Sequence, residues 1–397
     1  MLIVSGLPLL AVAVEVLLTA LTLGGLVYML LALWAARDFV HSLKRLEPPP
    51  VTGPGVTILK PVKGIDARMY AGFRSHCQQE YSGSYEILFG VTTLDDPAVS
   101  EVERLRSEFP EVDIRLVECP ERFGTSGKVS NLVQMLRAAK YEHVVINDSD
   151  IEVSPRYLTS VMRGFQSPNT GLVTAAYIGA AAEQGPELTM WAKLEALGIS
   201  TDFIPGMLTA RKLEGGIHFG LGSTLATTKT VIDKIGGLET LAGCLADDYE
   251  LGHRISQAGY AVELCGETVK TTVPAYRFKG FWDHQIRWAR TTRDSRKWGY
   301  VGLGVTYCLP WAMMTVVASG LALWSFTLLS LVLLARVSVA LSVGVGVLRD
   351  GQVLRDLWLL PLRDCFGLCI WAWSFAGDTV VWRDEKFRLK GGQIIRL

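Results

Sequence analysis

The chain has 397 residues, 49% hydrophobic and 20% charged, with 39 Lys plus Arg against 39 Asp plus Glu and a mean hydropathy of +0.28. Zero net charge removes the bulk positive field that marks most nucleic-acid binders, so no nucleic-acid partner is expected. The apolar content excludes a long disordered chain and is too high for a fully soluble enzyme.

In chain order, residues 7–36 are apolar except for Glu15 and are followed by Arg37, Lys44 and Arg45. The block lacks the basic start and small-residue cleavage site of a signal peptide. It reads as a retained membrane span of roughly 20–25 residues with a cytoplasmic C-terminal end. Glu47-Pro48-Pro49-Pro50 and Gly53-Pro54-Gly55 form a stiff linker. Beyond it, residues 56–59, 85–92, 113–117 and 143–147 are strand-like, with amphipathic helical patterns at 97–108 and 128–139. Alternating β and α units predict a mostly parallel, Rossmann-like sheet covered by helices, with ligands bound beyond the carboxyl ends of its strands.

The basic run Arg287, Arg290, Arg293, Arg296 and Lys297 leads into a second apolar block, 301–348, which contains Arg336. That block is long enough for two spans joined by a turn near Ser319-Gly320 or Trp324-Ser325. A third block, 357–382, carries Arg363, Asp364 and Asp378 and ends in a basic tail. A crossing there violates the positive-inside tendency, so it also fits a re-entrant or interfacial helix. The expected division is an N-terminal transmembrane helix over 1–36, a linker over 37–54, a globular domain over 55–300, transmembrane or interfacial helices over 301–382 and a basic tail over 383–397. In a three-crossing arrangement Glu15 and Arg336 lie in the same part of the bilayer, which predicts that they pair. The seven cysteines include no CxxC and read as reduced, mostly buried thiols.

Three acidic motifs carry the chemistry. Asp148-Ser149-Asp150 follows the strand 143–147. Carboxylates about 5 Å apart repel by roughly 3 kcal/mol at an effective dielectric near 20. A Mg²⁺ or Mn²⁺ ion that also holds a diphosphate removes that cost, and the alternative is a solvated turn. Asp95-Asp96-Pro97 stands at the end of another strand. Asp96 can accept hydrogen bonds from a nucleoside, cap the following helix, or do both. Asp247-Asp248 precedes a helical pattern, where capping competes with a general-base role. His284-Gln285-Ile286-Arg287-Trp288 can bind diphosphate and stack on a ligand, or anchor a helix beside the membrane. Gly124-Thr125-Ser126-Gly127-Lys128 is not a P-loop, because Arg122 and Val129 break the pattern, but Lys128 can still act as a point charge for phosphate.

Together, Asp96, Asp148 with Asp150, Asp248 and Arg287-Trp288 resemble the ordered D, D, D, (Q/R)xxRW pattern of membrane GT-A glycosyltransferases. The chain more closely resembles the ceramide glucosyltransferase family, through Leu59-Lys60-Pro61-Val62-Lys63-Gly64, Gly127-Lys128-Val129-Ser130-Asn131-Leu132, Ala246-Asp247-Asp248-Tyr249 and Phe387-Arg388-Leu389-Lys390-Gly391-Gly392. His284 stands where that family has Gln or Arg. Gly220-Leu221-Gly222-Ser223-Thr224 and Val273-Pro274-Ala275-Tyr276 look like the bacterial hopanoid-associated branch. The resemblance implies an α/β GT-A domain with flanking transmembrane helices. It implies inverting transfer of glucose or N-acetylglucosamine from a UDP-sugar to a ceramide or hopanoid hydroxyl, on the cytoplasmic face of a bacterial inner membrane. It also implies roles: Lys60, Asp96, Lys128, Asp148, Arg287 and Trp288 bind the donor, Asp150 holds a divalent cation, and Asp248 is the base. The competing readings are a processive polysaccharide synthase, which needs more spans and an intact QxxRW, and a non-catalytic membrane receptor or transporter.

Overall fold

The computed structural model describes residues 7–45, 47–48, 52–66, 68–181, 188–382 and 385–396. Pro49 and Pro50 of the linker and Arg383 of the tail lie outside them. Chain contacts divide the protein into two units. The first comprises Met1–Ser42, Leu188–Lys212 and Ala275–Lys386, and the second comprises Leu43–Glu187, Leu213–Pro274 and Phe387–Leu397. The 55–300 stretch, expected as one domain, is therefore shared. Leu194 and Leu197 from the helix Met190–Gly198, and Phe281 and Ile286 from the helix Phe278–Ser295, pack into one core with Ala340, Val353 and Leu360. These two helices have apolar faces that need a helical partner, and they find it among the C-terminal helices.

The second unit is built on a seven-stranded sheet. Its strands are β1 (Val56–Pro61), β2 (Tyr85–Val91), β3 (Asp113–Glu118), β4 (His143–Ile146), β5 (Thr170–Thr174), β7 (Leu225–Thr228) and β8 (Ala261–Leu264). A separate parallel pair joins β6 (Tyr177–Ala180) to β9 (Val269–Thr272). The sheet order is β3-β2-β1-β4-β7-β5-β8. β1 to β4 are parallel, and β7 alone runs against its neighbours β4 and β5. Near-continuous apolar strands such as β1 and β2 are buried on both faces, as a parallel sheet requires. Ile58, Phe73, Ile87, Phe89, Val145 and Tyr157 fill the core. The carboxyl ends of β1, β2 and β4 share one edge with the start of the antiparallel β7, and the acidic motifs hang from that edge. At the far end of the chain, Glu385–Lys390 and Gln393–Arg396 form a hairpin. Gly391 and Gly392 both have positive φ, 60° and 80°, which a two-residue type I′ turn demands and which residues with a Cβ resist.

The first unit is helical. Leu9–Lys44 and Leu323–Val347 are long and apolar enough to cross a membrane. Lys297–Thr306 and Cys308–Ala318 reach that length only as a pair bent by 52°. The chain reverses at Ser319–Leu321, where the backbone turns through positive φ at Gly320 and Leu321. The helix Leu360–Ser374 has 15 residues. At about 1.5 Å per residue it spans ~22 Å, short of the ~30 Å hydrocarbon thickness, so its length favours the re-entrant or interfacial alternative.

Arg336 is buried, but its partner is not Glu15. Its Nε and one terminal nitrogen donate to the two oxygens of Asp364 at 2.8 and 2.7 Å, and the other terminal nitrogen donates to the Thr201 carbonyl at 2.8 Å. Asp364 offers the planar two-point geometry that a guanidinium satisfies best. Removing one member of such a pair leaves a buried charge uncompensated, at a cost of about 3–5 kcal/mol. Asp364→Ala should therefore lower the melting temperature in detergent far more than Glu15→Ala. The double variant Arg336→Met/Asp364→Leu should recover most of the loss. Equal effects of the two single alanine variants would contradict the pairing.

Candidate active site

The end of β4 is fixed from below. Asn147 is fully buried, and its amide donates to the Ser223 carbonyl at 2.7 Å and to the Tyr157 hydroxyl at 2.9 Å. Its backbone N–H donates to the Leu59 carbonyl. These bonds tie β4 to β1 and to the lead-in of β7, so Asp148 leaves the sheet from a rigid point.

Lys60 was expected to touch the donor. It is instead completely buried on β1, and its ammonium donates to the backbone carbonyl of Asp148 at 3.1 Å. It supports the acidic loop from inside the protein. Burial drives its pKa down to about 7, against the opposing pull of Asp150 and Asp148. Asp150 also turns inward. One oxygen accepts from the Thr271 hydroxyl at 2.6 Å and from the Thr272 N–H at 3.0 Å, both on β9. Burial, and then the neighbouring Asp148, raise its pKa. Ser149 donates to Asp66 at 3.1 Å.

Lys128 gathers the rest. Ser126 caps its helix, Gly127–Ala138, by accepting from the Val129 N–H. This sets Lys128 in the first turn, with its ammonium 2.8 Å from Asp148 and 3.3 Å from Asp247. Burial opposes the charge on Lys128, but Asp148, Asp247 and Asp248 together outweigh it and raise its pKa. Asp247 and Asp248 open the helix Asp247–Gln257, where the helix dipole favours negative charge. The pKa of Asp248 is nevertheless pushed up to about 6, first by burial and then by repulsion from Asp247, with Lys128 pulling the other way. A loop of glycines lets Asp248 in. A Cβ on Gly222 would lie 2.8 Å from its carboxylate oxygen, and one on Gly220 would lie 2.8 Å from its carbonyl. The segment preceding that helix is held in turn by the C-terminal hairpin, where Ile394 N–H donates to the Gly243 carbonyl and Leu245 N–H to the Gly392 carbonyl.

Asp96 is both cap and clamp. One oxygen accepts from the Ala98 N–H at the start of the helix Ala98–Glu108, and both accept from the Gly64 N–H after β1. The capping alternative is thus realised, and the residue also fixes the loop that follows Lys60.

Asp96, Lys128, Asp148, Asp150 and Asp248, with Lys60 beneath them, thus lie along one sheet edge of the second unit. Arg287 and Trp288 lie on the helix Phe278–Ser295 of the first unit. There His284 and Gln285 both bind Glu195, at 3.0 and 3.2 Å, and the His284 ring lies 4.6 Å from that of Trp288. The sequence reading missed Thr271, Thr272, Asn147 and Glu195. Nothing local marks them, because each matters only through a partner more than ten residues away or on another strand. Gly220 and Gly222 did stand out in sequence, without a role.

Among the described residues, no three His, Cys, Asp or Glu side chains converge as a metal cage. Mg²⁺ and Mn²⁺ sites that work on phosphates need only one or two carboxylates, with the phosphates completing the shell. Asp148, half-exposed, and Asp150, with one oxygen outside its contacts to β9, fit that donor set.

Comparison with known proteins identifies the family of the chain. The family model "Glycosyl transferase family 21" matches residues 17–395. Two proteins of Caenorhabditis elegans are similar. Ceramide glucosyltransferase 3 is 27% identical over 60% of this chain and 50% of its own length. Ceramide glucosyltransferase 1 is 24% identical over 90% of this chain and 77% of its own length. The chain thus spans half of the first relative and about three-quarters of the second. Among solved structures, the mannosyltransferase PcManGT from Pyrobaculum calidifontis, in complex with GDP-Man and Mn²⁺, aligns over 91% of this chain and 97% of its own, with a TM-score of 0.51 and 20% identity. That likeness bears on the fold alone.

Lys128→Met tests the charge balance. It leaves Asp148, Asp247 and Asp248 facing one another without a cation, so the pKa of Asp248, already about 6, rises further above the unfolded value of about 3.9. The native state then binds more protons than the unfolded chain, and stability falls as pH rises through that window. The deficit in melting temperature relative to wild type should grow between about pH 5 and about pH 7.5. A deficit that does not change with pH would show that Lys128 contributes only packing.

Proposed function

The chain belongs to glycosyl transferase family 21, and from that premise we propose that it transfers a sugar from a UDP-sugar to a hydroxyl of a membrane lipid. The acceptor class is ceramide or a hopanoid polyol, and the sugar is glucose or N-acetylglucosamine. The observation that carries the reading is the cluster in which Lys128 bridges Asp148 and Asp247 beside a buried Asp248 of raised pKa. The long apolar helices of the first unit support a membrane-bound acceptor. We assign the protein to a bacterial inner membrane with its sheet-bearing unit on the cytoplasmic side.

In this mechanism Asp248 takes the proton of the acceptor hydroxyl as its oxygen bonds to the anomeric carbon. The bond from that carbon to the diphosphate oxygen breaks, its electron pair leaves with UDP, and a single displacement inverts the centre. A base with a pKa near 6 is ionised at neutral pH yet basic enough to accept the proton as the bond forms. Lys128 sits where a point charge can turn from the carboxylates to the departing diphosphate. Asp96, with the Gly64 loop it clamps, serves the nucleoside side. Asp150, with Asp148, would hold a divalent cation, which supplies positive charge to the diphosphate. Lys60 acts through Asp148 as a positioning residue, and Arg287 and Trp288 serve the diphosphate and acceptor.

The test uses the full chain in detergent, with UDP-glucose or UDP-N-acetylglucosamine and short-chain ceramide or a hopanoid polyol, and identifies products by mass spectrometry. Asp248→Asn should lose about 10²–10⁴-fold in rate with UDP affinity retained. If Asp247→Asn alone is inactive, the base is its neighbour. The wild-type rate should fall about tenfold per unit below about pH 6, as Asp248 gains its proton. A flat profile there would exclude Asp248 as the group that must be ionised.

A further inference from the structure

The helix Asp247–Gln257 carries the paired aspartates, but no side chain caps its first turn. The helix that bears Lys128 does have such a cap, in Ser126. Something other than a cap must therefore fix where Asp247 meets Lys128 across 3.3 Å. The segment just ahead, 242–245, is held on two flanks. On one, the Ser126 N–H donates to the Ala242 carbonyl at 2.8 Å, and a Cβ on Gly124 would lie 2.7 Å from that same oxygen. On the other lies the end of the chain. The Ile394 N–H donates to the Gly243 carbonyl at 3.1 Å, Cys244 pairs antiparallel with Gln393, and the Leu245 N–H reaches the Gly392 carbonyl at 3.4 Å. The hairpin is built to keep that register. Leu389 and Ile394 face each other across it, Phe387 lies on the same face, and all three are buried. Arg388 and Ile395, the pair between them, are exposed. A slip of one residue would turn the apolar face outward and carry the Ile394 N–H away from Gly243. The turn at Gly391 and Gly392, both at positive φ, blocks such a slip.

We infer that the C-terminal hairpin is a positioning element for the acidic cluster. Through Gly392, Gln393 and Ile394 it holds the 242–245 segment against the loop that caps the Lys128 helix, and so sets Asp247 and Asp248 relative to Lys128. A hairpin that only closed the end of the chain would leave its outer N–H to water. This one places it on the segment that leads into the aspartates. The role bears on the rate of transfer and not on donor binding, because Asp96 and the Gly64 loop are held by bonds of their own. The inference rests on the assignment of Asp248 as the base.

Cys244 reports on this hold directly, since it is buried between the two backbone bonds to the hairpin. The full chain in detergent is treated with N-ethylmaleimide, and alkylation is followed at each cysteine by peptide mapping. Gly391→Val forces a β-branched residue into positive φ, whereas Gly391→Asn suits a type I′ turn. Ile394→Pro removes the N–H that reaches Gly243. In Gly391→Val and Ile394→Pro, Cys244 should be alkylated at least about tenfold faster than in wild type, with the core thiols Cys77 and Cys265 still protected. The kcat of sugar transfer should fall at least about tenfold in the same two variants while UDP affinity stays within about threefold. Gly391→Asn should match wild type in both respects. Unchanged protection of Cys244 in both disruptive variants would show that the hairpin does not hold the segment. Faster alkylation with wild-type kcat would show that the hold does not serve transfer. Exposure of Cys77 and Cys265 in both, or a parallel loss of UDP affinity, would make the hairpin a general support of the unit. Each of these three results overturns the inference and leaves the proposed function standing. Absence of transfer by wild type to any lipid would remove that function, while the Cys244 arm still reads the hold.

Discussion

Three carboxylates around one ammonium organise the sheet-bearing unit. Asp148 and Asp247 come from different elements, separated by about a hundred positions, yet both contact Lys128. Without that cation, the end of β4 and the start of the helix Asp247–Gln257 would repel each other. With it, Asp248 can be buried and keep a pKa of about 6. The cation lies in the first turn of a capped helix, so the charge is set by backbone geometry as much as by side-chain reach. Several further bonds hold that arrangement in place. The Asn147 amide, the Lys60 ammonium under Asp148 and the Thr271–Thr272 cradle of Asp150 each remove a freedom that the acidic loop would otherwise have.

The same logic of compensated charge recurs in the helical unit with a different solvent. In the sheet-bearing unit, water and polar loops share the burden of the charges. Among apolar helices only a partner side chain or a freed carbonyl can do so. Arg336 has both, because the π-helical turn at Ile199–Phe203 exposes the Thr201 carbonyl. Glycines do complementary work in the two units. Gly222 admits a carboxylate and Gly198 admits a guanidinium, each at a distance that a methyl group would close.

The tail contributes more than charge. Its hairpin turns on two glycines of positive φ and bonds to Gly243 and Leu245, just ahead of the paired aspartates. Truncation at the basic tail would therefore reach the segment leading to Asp247 and Asp248 through backbone hydrogen bonds.

Periodicity and punctuation, which are local, made β1 to β4, the helices beside them and the acidic strand ends legible in the sequence. The apolar spans were legible for the same reason, since composition alone fixes whether a segment can lie in hydrocarbon, while the turn was narrowed to Ser319-Gly320 or Trp324-Ser325 and the structure takes the first. The ordered motifs carried the family. Tertiary structure alone decided which charge meets which. Arg336 pairs with Asp364 rather than Glu15, Lys60 faces inward rather than toward a ligand, and Asp150 rests on a strand a hundred and twenty residues later. It also decided that 188–212 and 275–300 join the apolar helices. A charged side chain is stable wherever its desolvation is compensated, and that depends on which distant segments pack beside it, a property that no window of sequence contains.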